Sequence, residues 1–247
     1  MDDLTVFVCT YNSRSTLGPC LAGLRAAEPR ARLVVIDHGS TDGTLELAAG
    51  YGAEIHHENV SLGYARQLAF ELSGTEYLAF LDSDVSIVDA SFLARAVESL
   101  QDPRVGAVVG MAVGHRLAYG LPAGLLVLRT EDFRGKVIPD FIDARETFYI
   151  VKRLRDLRLG TVYLADAMVH DSRFREFKPE WEGANTRLAT GVRVAELAFA
   201  LKVIIMLSIN SRSLRNIAYV PLFYLKFLRG FSDPQRWRKL VRDPTEA

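Results

Sequence analysis

Apolar and polar positions fall into blocks of two lengths along this chain. Short β-rich runs recur at Thr5 to Thr10, Leu33 to Ile36, Ala53 to His57, Tyr77 to Leu81 and Val105 to Val109. Longer segments with helix punctuation lie between them. These are Ser15 to Ala27, closed near Pro29; Thr41 to Ala49, with Gly50 and Gly52 near its stop; Tyr64 to Leu72; and Ser91 to Leu100. Strands alternating with helices of this length predict βαβ units and a largely parallel sheet. The strand runs show little polar alternation, as expected when helices cover both faces of the sheet.

The polar residues that end these runs carry the chemistry. In open α/β sheets, ligands bind beyond the carboxyl ends of the strands. Three such ends read Thr10-Tyr11-Asn12, Asp37-His38-Gly39-Ser40 and Asp82-Ser83-Asp84, and all three should reach one rim. Asp82 and Asp84 offer hard oxygen donors suited to Mg²⁺ or Mn²⁺ bridging phosphates. Asp37 can accept hydrogen bonds from a base or ribose, and Gly39 permits close backbone approach. Taken singly, each feature has a structural explanation: Asn12, Thr41 and Asp42 are good turn or N-cap residues, and an isolated Asp-Xaa-Asp is common in loops. Their joint placement favours a binding site. No Gly-Xaa-Gly-Xaa-Xaa-Gly follows the first strand, which counts against a dinucleotide dehydrogenase, and the lysine-bearing P-loop is missing.

Composition narrows the partners. The 247 residues are 49% apolar and 24% charged, with 30 basic and 30 acidic residues, so bulk charge gives no reason to expect nucleic acid. Cys9 and Cys20 have no metal-ligand spacing and imply no disulfide framework. The acidic start Met1-Asp2-Asp3 runs straight into a short apolar segment, unlike a signal peptide, so a cytoplasmic setting is the expectation.

The ordered set Val6-Phe7-Val8-Cys9-Thr10-Tyr11-Asn12, Val34-Val35-Ile36-Asp37-His38-Gly39-Ser40-Thr41-Asp42-Gly43-Thr44, Asn59 to Arg66 and Tyr77 to Asp84 resembles the inverting glycosyltransferase family 2. Weaker likeness continues through Gly124 to Arg129 as far as His170. The resemblance implies a GT-A, Rossmann-like α/β fold: a mostly parallel central sheet flanked by helices, here with an apolar and basic helical extension at the C-terminus. With the change in character of the last quarter, a catalytic domain is expected over 1–190 and an extension over 191–247. Within the first, a nucleotide-sugar-binding part occupies about 1–110 and an acceptor part about 111–190.

The resemblance also implies roles. Thr10, Tyr11, Asn12, Asp37, His38 and Gly39 would surround the nucleoside of a nucleotide-sugar donor, with Asp82, Ser83 and Arg66 near its ribose and diphosphate. Asp84, with Asp82 and His170, would hold Mn²⁺ or Mg²⁺. The reaction implied is a hexosyl transfer by single displacement at the anomeric carbon, and the walls that choose the sugar would lie between about Met111 and Ile142.

Two departures from the family pattern matter. The usual acidic pair after the second strand is Asp37-His38 here, which leaves the base open. The family's catalytic aspartate, second of a Glu-Asp pair at a helix start, is replaced: Glu146 is followed by Thr147. Glu146 or Asp143 can serve as general base if held within reach of the acceptor hydroxyl. The structural alternative makes Asp143 a helix N-cap and Glu146 a first-turn acid, in a helix running towards Leu159 and Gly160. A phosphate acceptor, already ionised, needs no base.

The last quarter changes character. Val192 to Ile209 and Ile217 to Phe231 are apolar but interrupted by charges, and Arg212, Arg215, Arg236, Arg238, Lys239 and Arg242 flank them. This pattern fits peripheral attachment to anionic lipid, and hence a lipid-linked acceptor, as well as it fits helices packed on the protein or at a dimer interface. Residues from about Asp243 are expected to fray. Three readings follow: a glycosyltransferase acting on a saccharide or lipid-linked acceptor, a polyprenyl-phosphate sugar transferase, and a degenerate nucleotide-binding scaffold at a membrane.

Overall fold

The computed structural model describes residues 3–115, 120–171, 178–210 and 217–238. Arg212, Arg215, Lys239, Arg242, the residues from Asp243 onward and the Met1-Asp2 start lie outside the described residues, as do positions 116–119 of the segment expected to choose the sugar. The chain divides into two compact units: 1–141 with 146–174, and 142–145 with 175–247.

The first unit is built on an eight-stranded sheet. Its strands are β1 (Leu4–Thr10), β2 (Arg32–Asp37), β3 (Glu54–His57), β4 (Tyr77–Leu81), β5 (Val85–Ile87), β6 (Val105–Ala112), β7 (Leu125–Arg129) and β8 (Gly160–His170). They are ordered β3-β2-β1-β4-β7-β6-β8-β5. β3, β2, β1 and β4 pair in parallel. β7 enters antiparallel between β4 and β6, and β5 pairs antiparallel with β8. The helices are α1 (Arg14–Ala27), α2 (Thr44–Gly50), α3 (Leu62–Leu72), α4 (Phe92–Leu100) and α5 (Thr147–Asp156).

Strand side chains alternate between the two sheet faces. Val6, Val8, Leu33 and Val35 join the apolar faces of α1, α2 and α4 in one core cluster. Their neighbours Phe7, Val34 and Ile36 join α3 and α5 in the other. Continuous apolar strands therefore read correctly as a sheet covered on both sides. β5 and β7 were not resolved as strands by pattern alone: β5 is very short, and β7 follows a long segment without helix punctuation.

Local chemistry moves some element boundaries. α2 starts at Thr44 rather than Thr41, because Gly43 takes φ 89° and the Asp42 carboxylate accepts from the Thr44 amide at 3.1 Å. α3 begins at Leu62, capped by Ser61, whose hydroxyl accepts from the Tyr64 amide at 3.0 Å. α5 begins at Thr147, so Asp143 is not its N-cap. Glu146 occupies the cap position with no side-chain capping bond.

The second unit contains α6 (Pro179–Thr190), α7 (Val194–Asn210), α8 (Val220–Ser232) and α9 (Pro234–Arg238). Ile204, Phe227 and Phe231 form its small core. Within the unit, Arg145 pairs with Glu196 at 2.8 Å. Among the described residues, no helix is long and apolar enough to cross a membrane.

Candidate functional site

The carboxyl ends of β1, β2 and β4 meet at one rim of the sheet, and hydrogen bonds lock their loops together. Asp37, at the end of β2, is fully buried. Its Oδ1 accepts from the Thr10 hydroxyl at 2.9 Å and from the Ser40 hydroxyl at 2.5 Å. Its Oδ2 accepts from the backbone N–H groups of Gly39 and Ser40 at 2.9 and 2.8 Å. Four donors fill the acceptor capacity of one carboxylate, so Asp37 shapes the loop that carries His38 and Gly39. Gly39 itself has φ 85°, and a Cβ there would meet nothing, which leaves its backbone open for close approach. Asn12 links the first loop to the second: its amide donates to the Ser40 hydroxyl at 2.8 Å and its side-chain oxygen accepts from the Thr41 amide at 2.9 Å.

Beside this frame stand two aromatic rings. Tyr11, roughly half exposed, packs edge-on to His38 at a centroid distance of 5.5 Å. His38 Nδ1 lies 2.5 Å from Glu58 Oε1, and Glu58 is buried.

Arg66 is placed differently from a residue held out towards a diphosphate. It lies on the buried face of α3, 3% exposed, with its guanidinium 4.7 Å from the centre of the Phe80 ring. One terminal nitrogen donates to Asp82 Oδ1 at 2.8 Å, and Nε stands 3.2 Å from Glu146 Oε1. Burial works against its charge, but Asp82 and Glu146 outweigh that cost and hold the guanidinium more firmly protonated than usual. Glu146 is itself buried. Nearby, burial pushes the Cys9 thiol up to about 12, which keeps it protonated and unreactive.

Asp82, Asp84 and His170 come together at the end of β4. The antiparallel pairing of β5 with β8 sets His170 opposite Val85, and the Asp171 amide donates to the Asp84 carbonyl at 2.7 Å. β8 reaches this position through an irregularity: Asp166 has φ 53°, and the pairing with β6 shifts register between Gly110 and Ala112. His170 Nε2 thereby lies 3.3 Å from Asp84 Oδ1. One donor atom from each of Asp82, Asp84 and His170 falls within 4.8 Å of the others. Donors about 2.1 Å from a six-coordinate Mg²⁺ stand about 3 Å apart when adjacent and about 4.2 Å apart when opposite. Small side-chain rotations would close this cluster on one cation, and two carboxylates with one imidazole suit Mn²⁺ or Mg²⁺ completed by phosphate and water. The residues present fit the metal.

A family model described as glycosyl transferase family 2 matches residues 5–136, more than half of the chain. The chain belongs to this family. Two curated relatives, both named as glycosyltransferases, match shorter stretches. EpsH of Bacillus subtilis is 30% identical over 88 residues, covering 33% of this chain and 26% of its own length. YibD of Escherichia coli is 26% identical over 106 residues, covering 40% of this chain and 31% of its own length. The matches thus span less than a third of either relative.

Solved structures agree on the fold. A mannosyltransferase from Pyrobaculum calidifontis, in complex with GDP-mannose and Mn²⁺, superposes with a TM-score of 0.63 at 17% identity, covering 93% of this chain and 74% of that one. Glucosyl-3-phosphoglycerate synthase from Mycobacterium tuberculosis, in complex with Mn²⁺ and UDP-glucose, gives 0.60 at 17% identity, covering 78% and 80%. The GT-A arrangement expected from the family resemblance is the fold observed.

In this family 2 chain the structure brings Thr10, Tyr11, Asn12, Asp37, His38 and Gly39 to one side of the rim. Asp82, Asp84, His170 and, through Arg66, Glu146 gather around the end of β4. Ser83 lies between the two groups, its hydroxyl donating to that of Ser13 at 3.1 Å. Asp143 belongs to the segment that groups with the C-terminal unit. The residue that sequence reading passed over is Glu58. It directly follows β3, so the strand-end rule that selected Asp37 and Asp82 applies to it equally.

Proposed function

We propose that this chain is a metal-dependent inverting glycosyltransferase that takes a sugar from a nucleoside-diphosphate donor. The observation that carries this reading is the convergence of Asp82, Asp84 and His170 beside the nucleoside-side residues Tyr11 and His38, in a family 2 fold. The catalytic domain is assigned to 1–190 and the helical extension to 191–247.

The chemistry is one displacement. An acceptor oxygen, already anionic in a phosphate and otherwise giving its proton to a carboxylate base, bonds to the anomeric carbon from the face opposite the donor diphosphate, while the bond from that carbon to the diphosphate oxygen breaks. The nucleoside diphosphate departs with the electron pair, and configuration inverts. A bound Mn²⁺ or Mg²⁺ supplies neutralisation of charge on the diphosphate. Asp82, Asp84 and His170 would hold that cation at the diphosphate end of the site. Asp82 faces ribose and diphosphate with its carboxylate oriented by Arg66, and Tyr11 and His38 border the base. Positioning and fixed electrostatics account for most of the rate gain.

Thermal unfolding of wild type and Asp84→Asn with UDP, GDP, dTDP and CMP, each with and without Mn²⁺, tests the site. A ligand that binds only the native state raises stability as RT ln(1 + [L]/Kd). The expected result is stabilisation that requires Mn²⁺ and disappears in the variant. A folded wild type with no metal-linked shift would return the chain to the degenerate-scaffold reading.

One observation favours a phosphate acceptor. The carboxylate of Glu146 is buried against Arg66, and Thr147 stands where the family carries its catalytic aspartate. An acceptor phosphate brings its own negative oxygen, so no proton need be removed. A polyprenyl phosphate has this chemistry, and Val192, Val194, Leu222 and Leu225 of the C-terminal unit expose apolar surface suited to a lipid interface. Transfer to polyprenyl phosphate but not to the corresponding alcohol, together with sedimentation on anionic vesicles, is the expected outcome. Equal transfer to both acceptors would sink it.

A further inference from the structure

His38 stands where the family pattern has its second acidic residue, and Glu58 decides what that histidine can do. The two are placed by backbone bonds: the His38 amide donates to the Thr10 carbonyl at 2.9 Å, and the Glu58 amide donates to the Asp37 carbonyl at 2.9 Å. Glu58 Oε2 accepts from the backbone N–H groups of Val60 and Ser61 at 2.7 and 3.0 Å, and Oε1 faces His38 Nδ1 at 2.5 Å. The Glu58 side chain is 2% exposed and that of His38 34%. A carboxylate only accepts hydrogen bonds, so the proton of the neutral imidazole sits on Nδ1 and the lone pair on Nε2. Nε2 lies across the ring from the buried carboxylate and has no protein partner among the described residues.

We propose that the Glu58–His38 pair selects the donor's base. Nε2 of His38 accepts from a ring N–H, as borne by the imide of uracil or thymine and by guanine. It rejects cytosine and adenine, whose ring nitrogen at the equivalent edge is itself an acceptor. Glu58 is a positioning residue that acts by fixing the tautomer. This rests on the nucleotide-sugar reading above and goes beyond it by naming the class of base.

The arrangement makes Glu58→Gln an informative variant. The two backbone donors at Oε2 hold the amide oxygen on their side, which turns the amide nitrogen towards His38 Nδ1. Nδ1 must then accept, the proton moves to Nε2, and the ring presents a donor to the base. Val60 and Ser61 keep their acceptor, so a purely structural role for Glu58 would be preserved in this variant.

The experiment is calorimetric titration at pH 8 with Mn²⁺, using UDP, N3-methyl-UDP, CDP, GDP and ADP against wild type and Glu58→Gln. Wild type is expected to bind UDP or GDP about tenfold or more tighter than CDP and ADP, because an acceptor facing an acceptor leaves both unpaired. N3-methyl-UDP is expected to lose that advantage. In Glu58→Gln the order of UDP and CDP reverses, while the thermal midpoint without ligand stays close to that of wild type. Equal wild-type affinity for UDP, N3-methyl-UDP and CDP together with equal affinity for GDP and ADP, or uniform weakening in the variant without reversal, overturns the base-selection proposal alone. No Mn²⁺-dependent binding of any nucleoside diphosphate overturns the nucleotide-sugar reading as well. Should Glu58→Gln fail to fold, the wild-type comparisons of UDP with its N3-methyl analogue and of GDP with ADP still decide.

Discussion

Arg66 Nε stands 3.2 Å from Glu146 Oε1, joining the residue at the start of α5 to the interior face of α3. The same guanidinium holds Asp82, so a single buried cation sets two carboxylates of the candidate site. Removing one partner of a buried pair leaves an uncompensated charge and costs about 3–5 kcal/mol. Arg66→Met should therefore lower the urea-unfolding free energy by about 3 kcal/mol or more. Arg66→Lys should fall between the two, since an ammonium keeps the charge but not the planar fork. A loss below about 1 kcal/mol in Arg66→Met would show that the pair contributes little.

Glu146→Gln separates two roles for this carboxylate. Loss of a general base lowers turnover by roughly 10²–10⁴-fold with little change in stability. Loss of a counter-ion to a guanidinium that still keeps Asp82 costs about 1–2 kcal/mol of stability and leaves turnover within about tenfold. The second outcome is expected here, because Glu146 is buried against Arg66. Single-turnover rates and urea midpoints measured on the same preparation give the answer.

How far these relationships could be read in advance depends on their sequence separation. Strand-end residues such as Asp37, Asp82 and Asp84 are legible because strand periodicity and the parallel-sheet rule place them without long-range contacts. Arg66 was legible as a basic residue near the site, but not as a buried cation. Its burial depends on α3 packing over Phe80 and on Glu146, eighty positions later, turning inward. His170 was legible only through the family resemblance, since a lone histidine after an apolar run is otherwise a packed or turn residue. Its meeting with Asp84 needs the irregular pairing of β8, which no local pattern announces. β7 escaped notice as an inserted antiparallel strand because its apolar run carries no mark of strand direction.

Asp37 gives a prediction about the loop itself. Its four accepted hydrogen bonds come from Thr10, Gly39 and Ser40. In Asp37→Asn, one oxygen position becomes a donor facing donors, and leaving a buried group unsatisfied costs about 1–3 kcal/mol. Thr10→Val removes one neutral donor and should cost about 1 kcal/mol. Urea unfolding checks both values. Asp37→Asn should also weaken nucleoside-diphosphate binding through the loop, and unchanged affinity would detach that loop from the nucleoside.

His170 tests the metal centre apart from the acidic pair. An imidazole that supplies a third donor raises affinity without being the main charge. His170→Ala should weaken Mn²⁺ binding roughly tenfold, whereas Asp84→Asn, which removes a charge as well as a donor, should weaken it further. Chelation of the metal should abolish turnover, and added Mn²⁺ should restore it. Mn²⁺ electron paramagnetic resonance titrations measure both affinities. If His170→Ala binds Mn²⁺ like wild type, the imidazole serves only to orient Asp84.

The C-terminal unit makes a prediction that involves no ligand. Gly183 of α6 lies against the carbonyl of Phe227, and Gly230 of α8 lies against the carbonyl of Glu180, so a Cβ at either position would overlap backbone. The two helices cross at glycines because only a missing side chain allows this approach. Phe227 and Phe231 pack at the same crossing, and Arg187 stands 5.6 Å from the centre of the Phe231 ring. Gly230→Ala must push the helices apart, opening a core with few large side chains, and overpacking of this kind costs about 1–3 kcal/mol. On helix propensity alone the same change would stabilise α8 by about 1 kcal/mol, so the sign of the effect identifies the crossing. Limited proteolysis should cut Gly230→Ala within 175–247 faster than wild type. Slower cutting would mean that α8 does not pack on α6 through Gly230.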